Sequence, residues 1–144
     1  VCKSNKRKLR TTTFARIGAA TLLALLAACT SPLKNNLALD RSQIYIIRDA
    51  GVPSPTPVYI SLNGLNKSTL EAGHHYMLEV PALEFYDIGV HAANEEQLRL
   101  RTQSAQAHYF RAKVADSAAG TQVRLVAISP AEAAASLAHS KAAP

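Results

Sequence analysis

The sequence predicts a mainly β domain, a seven-stranded antiparallel sandwich with a short C-terminal helix, following an N-terminal signal segment. Three observations carry this expectation. From Gln43 onward apolar residues alternate with polar ones at a period of two, in short runs separated by Gly, Pro and Asn. The residues before Cys29 have a different character, a basic start followed by an apolar run. Near the other end, Ser129-Pro130-Ala131-Glu132 has the form of a helix start.

The strands follow in order. Ile44–Arg48 is the first. The alternate prolines of Pro53-Ser54-Pro55-Thr56-Pro57 block ladder hydrogen bonds and favour an extended loop, read as a stiff connector rather than as a ligand for a partner's aromatic groove. Val58–Leu62 alternates Val58, Ile60 and Leu62 against Tyr59 and Ser61, and Asn63-Gly64 supplies residues that tolerate positive φ in a tight turn. His75–Val80 presents Tyr76, Leu78 and Val80 on one face and stops at Pro81. Phe85–Ala92 presents Tyr86, Ile88 and Val90. Leu98 and Leu100 alternate with Arg99 and Arg101, which marks a solvated face. In His108–Val114, Phe110, Ala112 and Val114 oppose Tyr109, Arg111 and Lys113, and Val123–Ile128 is the last strand. Seven short strands in residues 43–128 fit a sandwich of the transthyretin or immunoglobulin-like sort. A domain of this size buries somewhat over about 60% of its extended surface, enough for one modest core.

In the tail, residues 129–144, Ser129 is an N-cap, Pro130 takes the first helical position and Glu132 completes a capping box. Ile128 is available as a staple against Ala133. The helix is expected to reach about Ser140 and to dock loosely, since Leu137 is its main apolar residue.

The first 28 residues read as a signal peptide: a basic n-region, an apolar stretch from Ile17 to Ala28 and small residues at its end. About 12 apolar residues fall short of the roughly 20 that span a bilayer as a helix. Leu26-Ala27-Ala28-Cys29 resembles the lipobox of bacterial lipoproteins. That resemblance implies acyl chains on Cys29, palmitate among them, and so a stable attachment to a membrane that the chain does not cross. Thr30, rather than Asp, follows the cysteine, and by analogy with enteric sorting this directs the protein to the outer membrane, facing the periplasm. Residues 29–42 then form the lipidated cysteine and a polar tether that reaches at most about 45 Å.

This division accounts for the charge. The net charge of +6 would ordinarily suggest nucleic acid or an anionic surface. Six of the 16 basic residues precede Cys29, however, and all 10 acidic residues follow it, so the mature chain is neutral and the electrostatic case for a nucleic-acid partner goes with the signal. Cys2 leaves with the same segment and Cys29 is consumed by acylation, which leaves no thiolate for metal or redox chemistry.

Further runs carry a second resemblance: Tyr45-Ile46-Ile47-Arg48, then residues 58–64, Leu70-Glu71-Ala72-Gly73-His74-His75-Tyr76, and 105–114. Their order is similar to that in a family of small bacterial envelope lipoproteins with a domain of unknown function, akin to PEGA-type and transthyretin-like sandwiches. Where that family has a Pro-Gly-Glu-His-like turn, this chain has Pro81-Ala82-Leu83-Glu84-Phe85. No catalytic residue is established for that family, so none is carried over, and no cofactor is expected.

Reactive constellations are sparse. His74 and His75 are strand neighbours that point to opposite faces, and His91, His108 and His139 lack ligand spacing, so no metal site is expected. No serine has a nucleophile-elbow context. The pairs Glu95-Glu96 and Glu84 with Asp87 carry almost no information by spacing alone. Arg99, Arg101, Arg111 and Lys113 form a candidate basic binding face if their strands are neighbours; the plainer reading is the solvated side of a sheet. The expectation is therefore a non-enzymatic envelope lipoprotein that binds or braces another envelope component, protein or glycan. The alternative is a glycan- or peptidoglycan-binding module using Tyr45, Tyr59 and Tyr109 as exposed aromatics, with a hydrolase behind both.

Overall fold

The computed structural model describes residues 37–51, 54 and 56–144. The expected signal segment 1–28, the expected lipidation site Cys29 and the first part of the expected tether lie outside the described residues, as do Val52, Pro53 and Pro55. Among the described residues the chain forms β1 (Arg41–Ile47), β2 (Val58–Leu62), β3 (Leu65–Leu70), β4 (His74–Pro81), β5 (Phe85–His91), β6 (Glu95–Arg101), β7 (Gln106–Ser117), β8 (Gly120–Ala127), α1 (Pro130–Leu137) and β9 (Lys141–Ala142). Two sheets result, a five-stranded one in the order β8-β7-β1-β4-β9 and a four-stranded one in the order β3-β2-β5-β6.

Two expectations about the strands are corrected. There are nine strands rather than seven among the described residues, and the pairing is not wholly antiparallel. The added strands are β3, which is largely polar and exposed and so shows no alternation, and β9, which is only two residues long. Parallel pairing joins β1 to β7 and β4 to β9. The β1–β7 pair joins strands far apart in sequence, a choice that local alternation does not encode.

Period-two alternation does locate the core. Ile44 and Ile46, Val58 and Ile60, Ile88 and Val90, Phe110 and Ala112, and Val123 and Leu125 are buried together, so residues of both sheets share one apolar cluster. Leu98 and Leu100 pack against it, while Arg99 and Arg101 on the alternate positions are exposed.

A second cluster lies on the other face of the five-stranded sheet, where Ile47, Tyr109 and Ala133 are buried with Tyr45, Ala107, Ile128 and Leu137 around them. It is here that α1 docks. The capping box forms as the sequence predicts: Ser129 Oγ accepts from the Glu132 amide, and the Glu132 carboxylate accepts from the Ser129 amide at 2.9 Å. The helix ends at Leu137 rather than near Ser140, and its docking is close rather than loose. Ala133 is fully buried, and its single methyl lets the helix backbone approach Ile47 and Tyr109.

The strands define two ends of the domain. At the end where residue 37 leads into β1, the Ala82 amide donates to Asp40 O at 2.9 Å and so brings the β4–β5 turn beside the incoming chain. Leu83 in that turn has φ 65°, a left-handed conformation that costs a non-glycine residue. At the distal end the Arg48 amide donates to His74 O, and the Gly73 amide donates to Arg48 O, each at 2.9 Å.

Candidate functional site

Arg48 organises the distal end. It follows Ile44 and Ile46 on the inward register of β1 and is 2% exposed. Its guanidinium donates to three carbonyls: Nη1 to Thr56 O at 3.1 Å and Leu70 O at 2.9 Å, and Nη2 to Ser54 O at 2.9 Å. One planar fork thus ties the Ser54–Thr56 connector to the end of β3. Burial lowers the Arg48 pKa, an effect opposed by the nearby carboxylates of Asp116 and Glu71. Asp116 also accepts from Ser54 Oγ at 3.1 Å and from Thr121 Oγ1 at 2.7 Å, which anchors the connector to β7 and β8. Sequence reasoning missed this network. Its one signal there is a charged residue in the inward phase of an alternating strand.

Beside Arg48, a cleft of about 410 Å³ opens between the sheet and α1, bounded by Asp49, Arg111, Glu132, Ser136 and His139. Arg111 crosses its floor. Its Nε lies 2.9 Å from Asp49 Oδ2, and Nη2 donates to Ser136 Oγ at 3.1 Å. An adjoining groove of about 270 Å³ continues along Arg111 to Val114 and includes Lys113. Both signs of charge line the cleft, which suits a polar or zwitterionic ligand rather than a polyanion.

The four residues of the candidate basic face do not share one sheet. Arg99 and Arg101 lie on β6 in the four-stranded sheet, whereas Arg111 and Lys113 lie on β7 in the five-stranded sheet. Residues 102–105 carry the chain from one sheet to the other, so these consecutive strands are not neighbours. Arg111 and Lys113 belong to the distal cleft. Arg99 and Arg101 instead flank Phe85, with their guanidinium carbons 5.1 and 5.7 Å from the ring centroid.

The three tyrosines do not form an exposed set either. Tyr109 is buried beneath α1, and Tyr45, half-buried, stacks on it with ring centroids 5.2 Å apart. Tyr59 is exposed, but on the four-stranded sheet. Burial and the neighbouring Tyr109 raise the Tyr45 pKa.

His74 and His75 are engaged separately. His74 Nδ1 is 3.2 Å from Ala72 O, and His75 Nδ1 is 2.8 Å from Ser140 Oγ. Burial lowers the His75 pKa, and His74 lowers it further. His108 faces Ile44 across the β1–β7 pair, and burial lowers its pKa too; its Nε2 has no hydrogen-bond partner among the described residues. Among the described residues no three His, Cys, Asp or Glu side chains converge as a metal site would require, and no helix is long and apolar enough to cross a membrane.

One contact has the form of a catalytic relay. Ser61 Oγ lies 3.0 Å from His91 Nε2, and His91 Nδ1 lies 3.7 Å from Glu95 Oε2. Sequence spacing gives no hint of it, because Ser61 and His91 meet only through the β2–β5 register, in which Ser61 opposes Gly89. The isolated glycine inside a strand is the available signal. Its missing side chain leaves the space that Ser61 Oγ fills, since a Cβ on Gly89 would fall 2.3 Å from that oxygen. Ser61 is only 4% exposed, which leaves little room for a substrate beside its hydroxyl. The Ser61–His91 pair closes a gap over the sheet rather than presenting a nucleophile.

No protein-family model matches the chain, and no curated protein matches it.

Proposed function

We propose that this chain is a lipid-anchored bacterial envelope lipoprotein that binds or braces another envelope component without catalysing a reaction. Its two sheets around a shared core support the reading of the domain as a sandwich of the transthyretin or immunoglobulin-like sort, related to the small envelope lipoproteins that the sequence resembles. Acyl chains on Cys29 hold it at the outer membrane, facing the periplasm. The single observation that carries the reading is Leu26-Ala27-Ala28-Cys29 after a basic and then apolar start, with a neutral chain beyond it.

The distal cleft is the binding site in this reading. It lies at the opposite end of β1 from residue 37, where the chain enters the domain. Its polar side chains are held by fixed partners, Arg111 by Asp49 and Ser136, and His75 below by Ser140, and are thus preorganised for a ligand. The test is photo-crosslinking in intact envelopes from a reactive residue substituted for Lys113, with the same residue at Lys67 on β3 as control. A discrete adduct from position 113 alone is expected. Equal adducts from both positions, or turnover of cell-wall polymer by the purified protein, contradicts the reading.

A further inference from the structure

The four most exposed large apolar side chains among the described residues are Leu39 at 79%, Leu65 at 64%, Leu83 at 63% and Phe85 at 56%. Their positions are not scattered. Leu39 immediately precedes β1 by two residues, and the hydrogen bond from the Ala82 amide to Asp40 O sets the turn bearing Leu83 beside it. Phe85 opens β5 two residues later, opposite Arg101. Leu65, the first residue of β3, lies at the same end of the four-stranded sheet, since Leu65 opposes Leu62 and Leu62 opposes Ile88. Exposed single leucines need no explanation, but a cluster gathered at one end of a small domain does. That end is also where the chain arrives from Cys29, and the link from Cys29 to Leu37 reaches at most about 30 Å when fully extended.

We infer that the tether end is a membrane-docking tip, in which Leu39, Leu83 and Phe85 enter the boundary between headgroups and acyl chains of the leaflet that holds Cys29. The inference rests on the lipid anchor proposed above. The backbone of Leu83 adds to it: a leucine held at φ 65°, exposed and in a tight turn, keeps a strained conformation that glycine would adopt freely, and it projects an apolar side chain at the tip. Arg99 and Arg101 pack over Phe85 and can keep their charged ends at phosphate level while the ring goes deeper. Charge does not drive the docking. Arg41 pairs with Glu79 at 3.0 Å and Arg99 lies 3.9 Å from Asp87, with Asp40 and Glu84 close by in sequence, so the end is nearly neutral. Apolar insertion predicts binding that tolerates salt.

The chain contains no tryptophan, so Phe85→Trp introduces a single fluorophore at the tip. The experiment uses the full-length acylated protein in vesicles of phosphatidylethanolamine and phosphatidylglycerol carrying brominated acyl chains, with Tyr59→Trp as the control on the sheet face. Emission from the Phe85→Trp variant is expected to be blue-shifted and quenched at low and at high salt, and emission from the Tyr59→Trp variant unquenched. Changing both Leu39 and Leu83 to Ser should abolish the quenching at position 85. Unquenched, water-exposed emission from position 85 in protein that carries palmitate overturns the docking tip and leaves the anchor standing. Protein without palmitate overturns the anchor. The docking tip, which needs the acyl chains to hold the domain at the leaflet, falls with it.

Discussion

Tyr45 stacks on Tyr109 at a centroid separation of 5.2 Å and an interplanar angle of 25°, and the two are in-register partners across the parallel β1–β7 pair. The pair lies on the face of the five-stranded sheet that α1 covers. It joins strands more than 60 residues apart and gives the helix a flat apolar seat.

The seat has no spare depth at Ala133. Ala133→Leu is expected to lower stability by about 1–3 kcal/mol through overpacking against Ile47 and Tyr109. Chemical denaturation measures the loss. Ala133→Gly, which keeps the close approach, is expected to cost only about 1 kcal/mol in helix propensity.

Arg48→Lys is expected to destabilise the fold by about 3 kcal/mol. One ammonium cannot serve Ser54 O, Thr56 O and Leu70 O as the guanidinium does, and the buried carbonyls lose their donors. Proteolysis of the Ser54–Thr56 connector should accelerate with the loss. An unchanged melting temperature and cleavage rate contradicts the assigned clamp.

Gly89→Ala places a methyl on Ser61 Oγ and is expected to be strongly destabilising. Ser61→Ala removes the clashing oxygen, so the double variant should recover part of the stability lost by Gly89→Ala. A double-mutant cycle reads the coupling. Strictly additive effects contradict the account of Ser61 as the filler of the space over Gly89.

Stability should also fall on mild acidification. Burial lowers the folded-state pKa of both His75 and His108 below the usual value of about 6.5, so the unfolded chain takes up protons first as the pH drops. The stability they contribute is therefore full above about pH 6.5 and declines as the pH falls through that value toward the lower folded pKa. Melting temperatures at pH 7.5 and 5.5 test this. His108→Leu, which removes one of the two groups, should narrow the difference.

Much of the interior is legible from alternation, since Ile44, Ile46, Val58, Ile60, Ile88, Val90, Phe110 and Ala112 each take the phase that period two assigns. The capping box at Ser129 and Glu132 is legible too, because its interactions are local. Partnership between strands is not. Succession along the chain suggests one face for Arg99 and Arg111, yet the chain changes sheets between them. Opposition to the core phase suggests an exposed Tyr109, but the reverse side of its sheet is roofed by α1. Nothing in the spacing of Arg48, Asp49, Arg111 and Ser136 foretells the cleft, which exists only once β1, β7 and α1 are assembled.

The central claim is the anchor at Cys29, and metabolic labelling with palmitate tests it most directly. The wild-type chain should incorporate label and Cys29→Ser should incorporate none. Equal labelling of the two, or an unlabelled wild-type protein, contradicts the account.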